Sequence, residues 1–532
     1  MNHLRGLPVL VLGLGESGLA MATWCASHGA SVRVWDSRHP APGAPDSEVR
    51  PPQAEAMALA APEAVLIGGA LTADALQDAK LVLKSPGLAP HDERVAALLG
   101  AARAQGIAVQ GELDLFARAL DDLKRERDYA PKVVAITGTN GKTTTTALTA
   151  LLVERCGKRV AMAGNIGPTM LDTLAAALDA VDDNGAPLPL PEVWVLELSS
   201  FQLSGGGQGV RGFEPSAATV LNVTQDHLDW HGSLEAYAAA KARVFGERAV
   251  MVVNRDDALV EAMVQPPATV KNAKGRAVQG APRTVLRFGT GAPQRPGDFG
   301  LIVENGMAWL VRAMVEEEGA RKRGWVADPE DLHLQRLMPS DALRIRGRHN
   351  AANALAALAL ATAVGCPLAP MLHGLRDYSG EPHRVAFVAH VGGIEAFDDS
   401  KGTNVGATVA ALQGLGANKA PAKLVVILGG DGKGQDFAPL AAPVSQYGRA
   451  VALIGRDASA IEAALANSGV PMQHHATLDA AVDWCFAQAQ AGDAVLLSPA
   501  CASLDMFRNY GHRAEVFVAA VQAHAAAKGE IA

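Results

Sequence analysis

Residues 137–146 read TGTNGKTTTT, directly after the apolar run Val133–Ile136 and directly before Ala147–Val153, a stretch of strong helix formers. A strand that enters a glycine turn and leaves it as a helix is half of a βαβ unit, so a parallel sheet is predicted. In such a turn Gly138 and Gly141 let the backbone aim its N–H groups at an anion, Lys142 adds a point charge, and the Thr143 hydroxyl suits Mg2+. A nucleoside triphosphate is the natural ligand. The common spacing of this loop would place a glycine where Ile136 stands, so the loop is a shorter variant.

A chain of 532 residues, 49% of them hydrophobic but only 5% aromatic, has the composition of helices packed on parallel sheets in several domains. With a net charge of −8 and no long basic run, nothing in the composition suggests a nucleic-acid surface. The five cysteines are odd in number and form no C-x-x-C, which argues against a disulfide framework or a zinc site and fits a reducing compartment. The N-terminal MNHLRGLPVLVLGLG imitates a signal peptide, but its glycines and Glu16 interrupt the apolar run, and it is read as a first strand. No window approaches a membrane span, so a cytoplasmic, soluble protein is expected.

Three blocks follow. Residues 1–128 open with strand Pro8–Leu12, the loop Gly13-x-Gly15-x-x-Gly18, helix Leu19–His28, strand Ser31–Trp35 and then Asp36. Further runs at Ala64–Ile67 and Lys80–Leu83 continue this rhythm, and the charged segment Asp121–Asp128 reads as a linker out of the domain. Residues 129–380 hold the phosphate loop and strands at Arg159–Ala163, Val193–Leu198, Ala218–Val223 and Ala249–Val253. Between about 258 and 342 the pattern weakens, and Val285–Phe288, Phe299–Val303 and Ala308–Val311 suggest a β-rich insertion before the helix Asn350–Ala363. The third block, 381–532 after the turn Ser379–Pro382, has strands at Ile394–Phe397, Leu424–Leu428, Ala450–Ile454 and Ala494–Leu497, read as another parallel sheet. The expected class is α/β in three domains: a Rossmann-like amino-terminal domain, a P-loop-type central ATPase domain and a Rossmann-like carboxyl-terminal domain.

Glycines after one strand are often packing residues, but Asp36 closing the next strand favours a nucleotide contact for the first loop. Glu197, ending the run VWVLE, is placed where a second-strand carboxylate reaches a metal bound at the phosphate loop. Asp226, His227, Asp229 and His231 crowd one loop, Ser233 is an N-cap, and the helix after it puts Tyr237 and Lys241 on one face. In the third block, FDDSKGTN (397–404), LGGDGKGQDF (428–437) and LSPACASLDMF (497–507) each follow a strand and together outline a crevice.

GTNGKTT, GNIG (164–167), ELSSFQL (197–203), DHLD (226–229), the Tyr237/Lys241 helix, GRHNAANALAA (347–357), EPHR (381–384), DDSKGTN, GGDGKG and SPACASLDMF occur in an order that resembles the Mur ligases, the ATP-dependent amide-forming family of bacterial peptidoglycan precursor synthesis. The match covers all three domains, and the N-terminal glycine loop with DSKGTN and SPACASLDMF is similar to the D-glutamate-adding branch. The resemblance implies that ATP phosphorylates the carboxylate of UDP-N-acetylmuramoyl-L-alanine and that D-glutamate attacks the acyl phosphate, in a cytoplasmic monomer with no nucleic-acid partner. It further implies two Mg2+ ions.

By the same resemblance, ATP would be held by Gly138, Thr139, Asn140, Gly141, Lys142, Thr143, Thr144, Asn350, Asn353, Arg384 on the phosphates and Asp399 on the ribose. The metal sites would use Thr143, Glu197, His227 and Lys241 as a CO2-derived carbamate, and catalysis would rest on Lys142, Glu197, His227 and Lys241. Gly15, Ser17, Gly18, Asp36, Ser37, Arg38 and Asn165 would meet the nucleotide sugar. Lys401, Thr403, Lys433, Ser503, Leu504 and Tyr510 would grip D-glutamate. Ala514 stands where the family pattern leads one to expect a glycine turn.

Overall fold

The computed structural model describes residues 1–40, 51–205, 210, 212–267, 269–271, 277–279, 282–315, 332–419 and 421–530. Part of the 258–342 insertion, including 316–331, lies outside the described residues.

Three sheets follow one another along the chain. The first runs Val65–Ile67, Ser31–Trp35, Pro8–Leu12, Leu81–Lys84, Ala108–Gln110, all parallel. Its order reverses beside Pro8–Leu12, which opens a crevice at the carboxyl ends of Pro8–Leu12 and Leu81–Lys84, where the Gly13–Gly18 loop and the Ser85–Gly87 turn face each other. Ser85 Oγ donates to Gly13 O at 2.8 Å across it.

The second sheet is ordered Val285–Phe288, Val250–Asn254, Ala217–Val220, Lys132–Thr137, Val193–Glu197, Val160–Gly164, again all parallel. Its strands read as unbroken apolar runs because helices cover both faces. Register does the positioning: Glu197 lies level with Ile136 on one side and Gly164 on the other, so three loops leave the sheet at one height. The phosphate-loop helix Lys142–Arg155 packs on the alanine-rich helix Arg348–Ala363, joined through Leu148, Leu152 and Leu355.

The third sheet is ordered Ala386–Val391, Ile394–Asp398, Ala494–Leu497, Leu424–Gly429, Gly448–Ile454, Met472–His474. Ala386–Val391 pairs antiparallel at its edge and the rest is parallel. The three strands that carry the polar loops are neighbours.

Several expectations are corrected. Asp121–Asp128 is no linker: Asp121–Arg127 continue the helix Glu112–Arg127, capped by Asp128 in the left-handed region, and Asp122 is buried against the Met1 ammonium and His3. Its charges are a helix face, which periodicity across the run would have shown. Val285–Phe288 belongs to the central sheet rather than to an insertion, and the inserted β-structure includes the antiparallel pair Thr269–Lys271 and Ala277–Gln279 and the antiparallel Phe299–Glu304, Met307–Val315 and Leu332–Pro339. The third sheet is not wholly parallel. Ala514 lies buried inside the helix Tyr510–Ala527, so no glycine turn is needed there. All five cysteines are unpaired, and among the described residues no helix is long and apolar enough to cross a membrane.

Candidate active site

The phosphate loop is shaped by Gly141, at φ 82°, where a Cβ would come within 2.5 Å of Asn353 Oδ1 on the facing helix. Lys142 Nζ curls over the loop and donates to Gly138 O at 3.0 Å and Thr139 O at 2.9 Å. From the helix Leu234–Ala242 Lys241, 1% exposed, reaches the same Gly138 O at 2.9 Å and lies 4.3 Å from the Tyr237 ring centroid. Burial drives the Lys241 ammonium far below its ordinary range, and Lys142 pushes the same way against Asp226 and Glu197. Ser233 caps that helix by accepting from Ala236 N.

Glu197 Oε1 accepts from Asn165 Nδ2 at 2.9 Å, while its buried Oε2 has no hydrogen-bond partner. Asn165 N also donates to Glu197 O, an approach allowed because a Cβ on Gly164 would lie 2.2 Å from that carbonyl. A buried, unpartnered carboxylate oxygen beside the Thr143 hydroxyl loop fits a hard cation. Among the described residues no three of His, Cys, Asp and Glu converge on a metal position. His227, at φ 53°, packs edge-on against Phe201 at 4.7 Å; burial lowers its pKa, as do Lys433, Lys142 and Lys241, against Asp226. His231 is held neutral, its pKa near 4 by burial and the neighbouring His227 and Lys241, and shares a 2.9 Å hydrogen bond with Ser200 Oγ.

The central and carboxyl-terminal units meet over this loop. Arg384 Nη2 donates to Thr143 Oγ1 at 2.9 Å, and Asn404 Nδ2 to Asn140 Oδ1 at 3.1 Å. Beside these contacts lies a cavity of about 350 Å3 lined by Asn140, Gly141, Thr144, Asn350, Asn353, Arg384 and Asp399 among others. Burial raises the Asp399 carboxyl to about 7 despite the 2.7 Å bond it accepts from Ser498 Oγ.

Lys401, Thr403, Lys433, Ser503, Leu504 and Tyr510 stand on three laced loops and the following helix start. Ala500 N donates to Gly402 O, and Asp431 and Ala502 exchange both backbone hydrogen bonds. Lys401 Nζ lies 5.4 Å from the Tyr510 ring centroid, Ser503 is buried and Leu504 is 71% exposed. Burial lowers the Lys401 pKa, Arg384 adding to the effect.

In the amino-terminal crevice, Leu14 N donates to Asp36 Oδ2 at 2.8 Å and Arg38 grips both oxygens. Burial alone would raise the Asp36 carboxyl, but Arg38 and the backbone donors outweigh it and hold it at about 2. Ser37 Oγ accepts from Arg94. Gly15, Ser17 and Gly18 share this edge, whereas Asn165 stands on Glu197 in the central unit.

Three family models match this architecture in order: the Mur ligase MurD-like N-terminal domain over 8–111, the Mur ligase middle domain over 136–278 and the Mur ligase glutamate ligase domain over 383–501. The chain belongs to the Mur ligase family. Among curated relatives, UDP-N-acetylmuramoylalanine--D-glutamate ligase of Albidiferax ferrireducens is 57% identical over 99% of this chain and 98% of that one. The protein of the same name from Burkholderia mallei is 57% identical over 98% of each. The fold is shared with the UDP-N-acetylmuramate-alanine ligase of Thermotoga maritima, at TM-score 0.53 and 20% identity over 97% of this chain and 99% of that one. It is likewise shared with a MurF ligase of the same organism solved with ADP, at TM-score 0.53 and 16% identity over 86% and 91%.

Mur ligases use ATP and Mg2+. The cavity wall also contains Asn222, Asn254, Asp256 and His349, which the sequence reading passed over. Their one sequence signal was position, since Asn222 and Asn254 stand at or just past strand ends.

Proposed function

We propose that this Mur ligase joins D-glutamate to UDP-N-acetylmuramoyl-L-alanine with ATP, through an acyl phosphate, in peptidoglycan precursor synthesis. The observation that carries the mechanism is the Arg384–Thr143 contact, which brings the phosphate loop and the amino-acid loops to opposite walls of one cleft. Lys142, Lys241, Lys401 and Arg384 gather there against Glu197 and Asp226, each close enough to perturb its neighbours. Cations in excess suit a reaction in which a carboxylate oxygen must approach a triphosphate, because the barrier is chiefly anion repulsion.

ATP occupies the 350 Å3 cavity, with its base toward Asn254 and His349, its ribose at Asp399 and its phosphates over Gly138–Thr144, Asn350, Asn353 and Arg384. The nucleotide sugar lies on Gly15, Ser17, Gly18, Asp36, Ser37 and Arg38, with Asn165 and His227 near its reacting end. Its carboxylate takes the γ-phosphoryl group and ADP is released. The amine of D-glutamate, held by Lys401, Thr403, Lys433, Ser503, Leu504 and Tyr510, then attacks the acyl carbon, loses a proton and expels phosphate, leaving the amide.

Thr143, Glu197, His227 and Lys241 would hold two Mg2+ ions, which when bound neutralise the phosphate oxygens. Lys241 joins this set as a carbamate: its depressed pKa leaves a free amine that can add CO2, losing a proton and becoming an anion. The reading includes a cytoplasmic monomer with domain limits near 128 and 380. Phosphate release is expected only when both UDP-N-acetylmuramoyl-L-alanine and D-glutamate are present with ATP. Release that is independent of either would overturn the reading.

A further inference from the structure

We infer that Arg513 is a positioning residue of the amino-acid site, a brace that fixes the separation of the Asp399–Asn404 and Ser498–Phe507 loops and so sets the affinity for D-glutamate. This rests on the carboxyl-terminal loops being the D-glutamate site.

Arg513 lies in the first turn of the helix Tyr510–Ala527 and is 1% exposed. Its Nη2 donates to Ser400 O at 2.8 Å and its Nη1 to Cys501 O at 3.2 Å. One planar guanidinium thus spans both loops. Ser400 directly precedes Lys401, and Cys501 stands two residues before Ser503. Ser400 and Cys501 are themselves fully buried, so loss of this donor strands two carbonyls away from water.

The cost of the arrangement argues for a specific role. Among the described residues no carboxylate lies within ion-pair distance of Arg513, and its buried Nε has no partner. A buried cation that hydrogen-bonds only two carbonyls, with Asp505, Asp398 and Asp399 acting on it from beyond ion-pair distance, is a poor way to stabilise a fold. It is a good way to hold two backbones at a fixed spacing, because the fork is rigid where a lysine would be a single flexible point. The other direct ties between the two loops are Ala500 N to Gly402 O and, at their strand ends, Ser498 Oγ to the Asp399 carboxylate, with the Asp431–Ala502 pair reaching them through the third loop. Arg513 is the side chain from outside both loops that bridges them, from the same helix turn whose Tyr510 faces Lys401.

The test compares Arg513→Met, which keeps volume and removes both donors, with Arg513→Lys, which can serve one carbonyl. Initial rates are followed while each of the three substrates is varied, with thermal melting of the same samples. Arg513→Met is expected to raise KM for D-glutamate roughly tenfold or more, the loss of two charge-assisted hydrogen bonds, while KM for ATP and for the nucleotide sugar and kcat hold. Arg513→Lys is expected to fall between Met and the parent. Unchanged KM for D-glutamate in a folded Met variant overturns the proposal, as does a uniform fall in kcat with no selective KM effect, which is what a merely structural residue gives. Should the Met variant not fold, Arg513→Lys decides alone: a selective rise in KM for D-glutamate supports the brace and a parental value overturns it. A parent enzyme that makes no product with D-glutamate would instead defeat the underlying reading, and the two failures are distinct.

Discussion

Where the amino-terminal sheet meets the central one, Phe116 stands edge-on to Trp194 at 5.0 Å, and a single apolar core runs from Leu4 through Leu123 into Val133, Trp194 and Val253. Where the carboxyl-terminal unit meets the central one, the hydrogen bonds include Arg384 on Thr143 and Asn404 on Asn140 and Asp226, Gly414 approaches Gly347 and His349, and the apolar cores of that unit contain only its own residues. Separating the first junction would expose hydrocarbon to water, whereas the second exchanges hydrogen bonds with solvent at small net cost. The proposed ATP site lies at the polar junction. With the nucleotide sugar proposed across the fused junction, one substrate site is expected to be preformed and the other to be completed by closure.

Substitutions should therefore separate into those that stop turnover and those that loosen the molecule. The largest effect is expected from Lys142→Ala at the polar junction, a fall in kcat on the order of 10²–10³-fold or more with an unchanged urea midpoint; near-parental rates would make the loop structural only. Lys241→Ala is expected to be almost as damaging but partly restored by acetate or formate, which replace the missing carboxylate. Absence of rescue would count against the carbamate.

At the apolar junction the effect should fall on stability instead. Trp194→Ala removes a fully buried ring whose Nε1 donates to Tyr129 Oη at 2.8 Å, and should cost about 3–5 kcal/mol in urea unfolding while the surviving enzyme keeps its KM for ATP. A loss below about 1 kcal/mol would mean that the two units are less fused than their shared core indicates.

The smallest effect concerns Glu112, buried at that same junction, where its Oε1 accepts from Leu171 N at 3.1 Å. Burial raises its carboxyl from 4.5 to about 7, partly opposed by the Leu171 N–H. A carboxyl raised in the folded state contributes stability below its unfolded pKa and loses it as pH climbs through the folded one. The midpoint of Glu112→Gln should therefore gain on the parent between pH 4.5 and 7 and stay level above. A pH-independent difference would show that Glu112 does not titrate in that window.

The same contrast explains what could be read in advance. Pro8–Leu12 and Ala494–Leu497 were legible to the residue because strands buried on both faces are written as unbroken apolar runs. Ala108–Gln110 and Met472–His474 were not, since three half-exposed residues at a sheet edge carry no pattern. Asp121–Asp128 misled because charge density was read without its helical period. In the site, residues clustered in sequence were visible: TGTNGKTT, DDSKGTN and SPACASLDMF each bring their glycines, lysines and hydroxyls within one loop. Asn222, Asn254 and His349 come together only through strand order, and Arg513 acts through carbonyls that any residue supplies, so neither leaves a mark in composition or spacing.

Which amine the carboxyl-terminal loops accept decides the proposed function most directly. With ATP, Mg2+ and UDP-N-acetylmuramoyl-L-alanine supplied, amide product and ADP are measured across a panel of D-glutamate, L-glutamate, L-lysine, meso-diaminopimelate and L-alanine. Product with D-glutamate far above every other acceptor is the predicted result. Product with another amino acid and none with D-glutamate would contradict it.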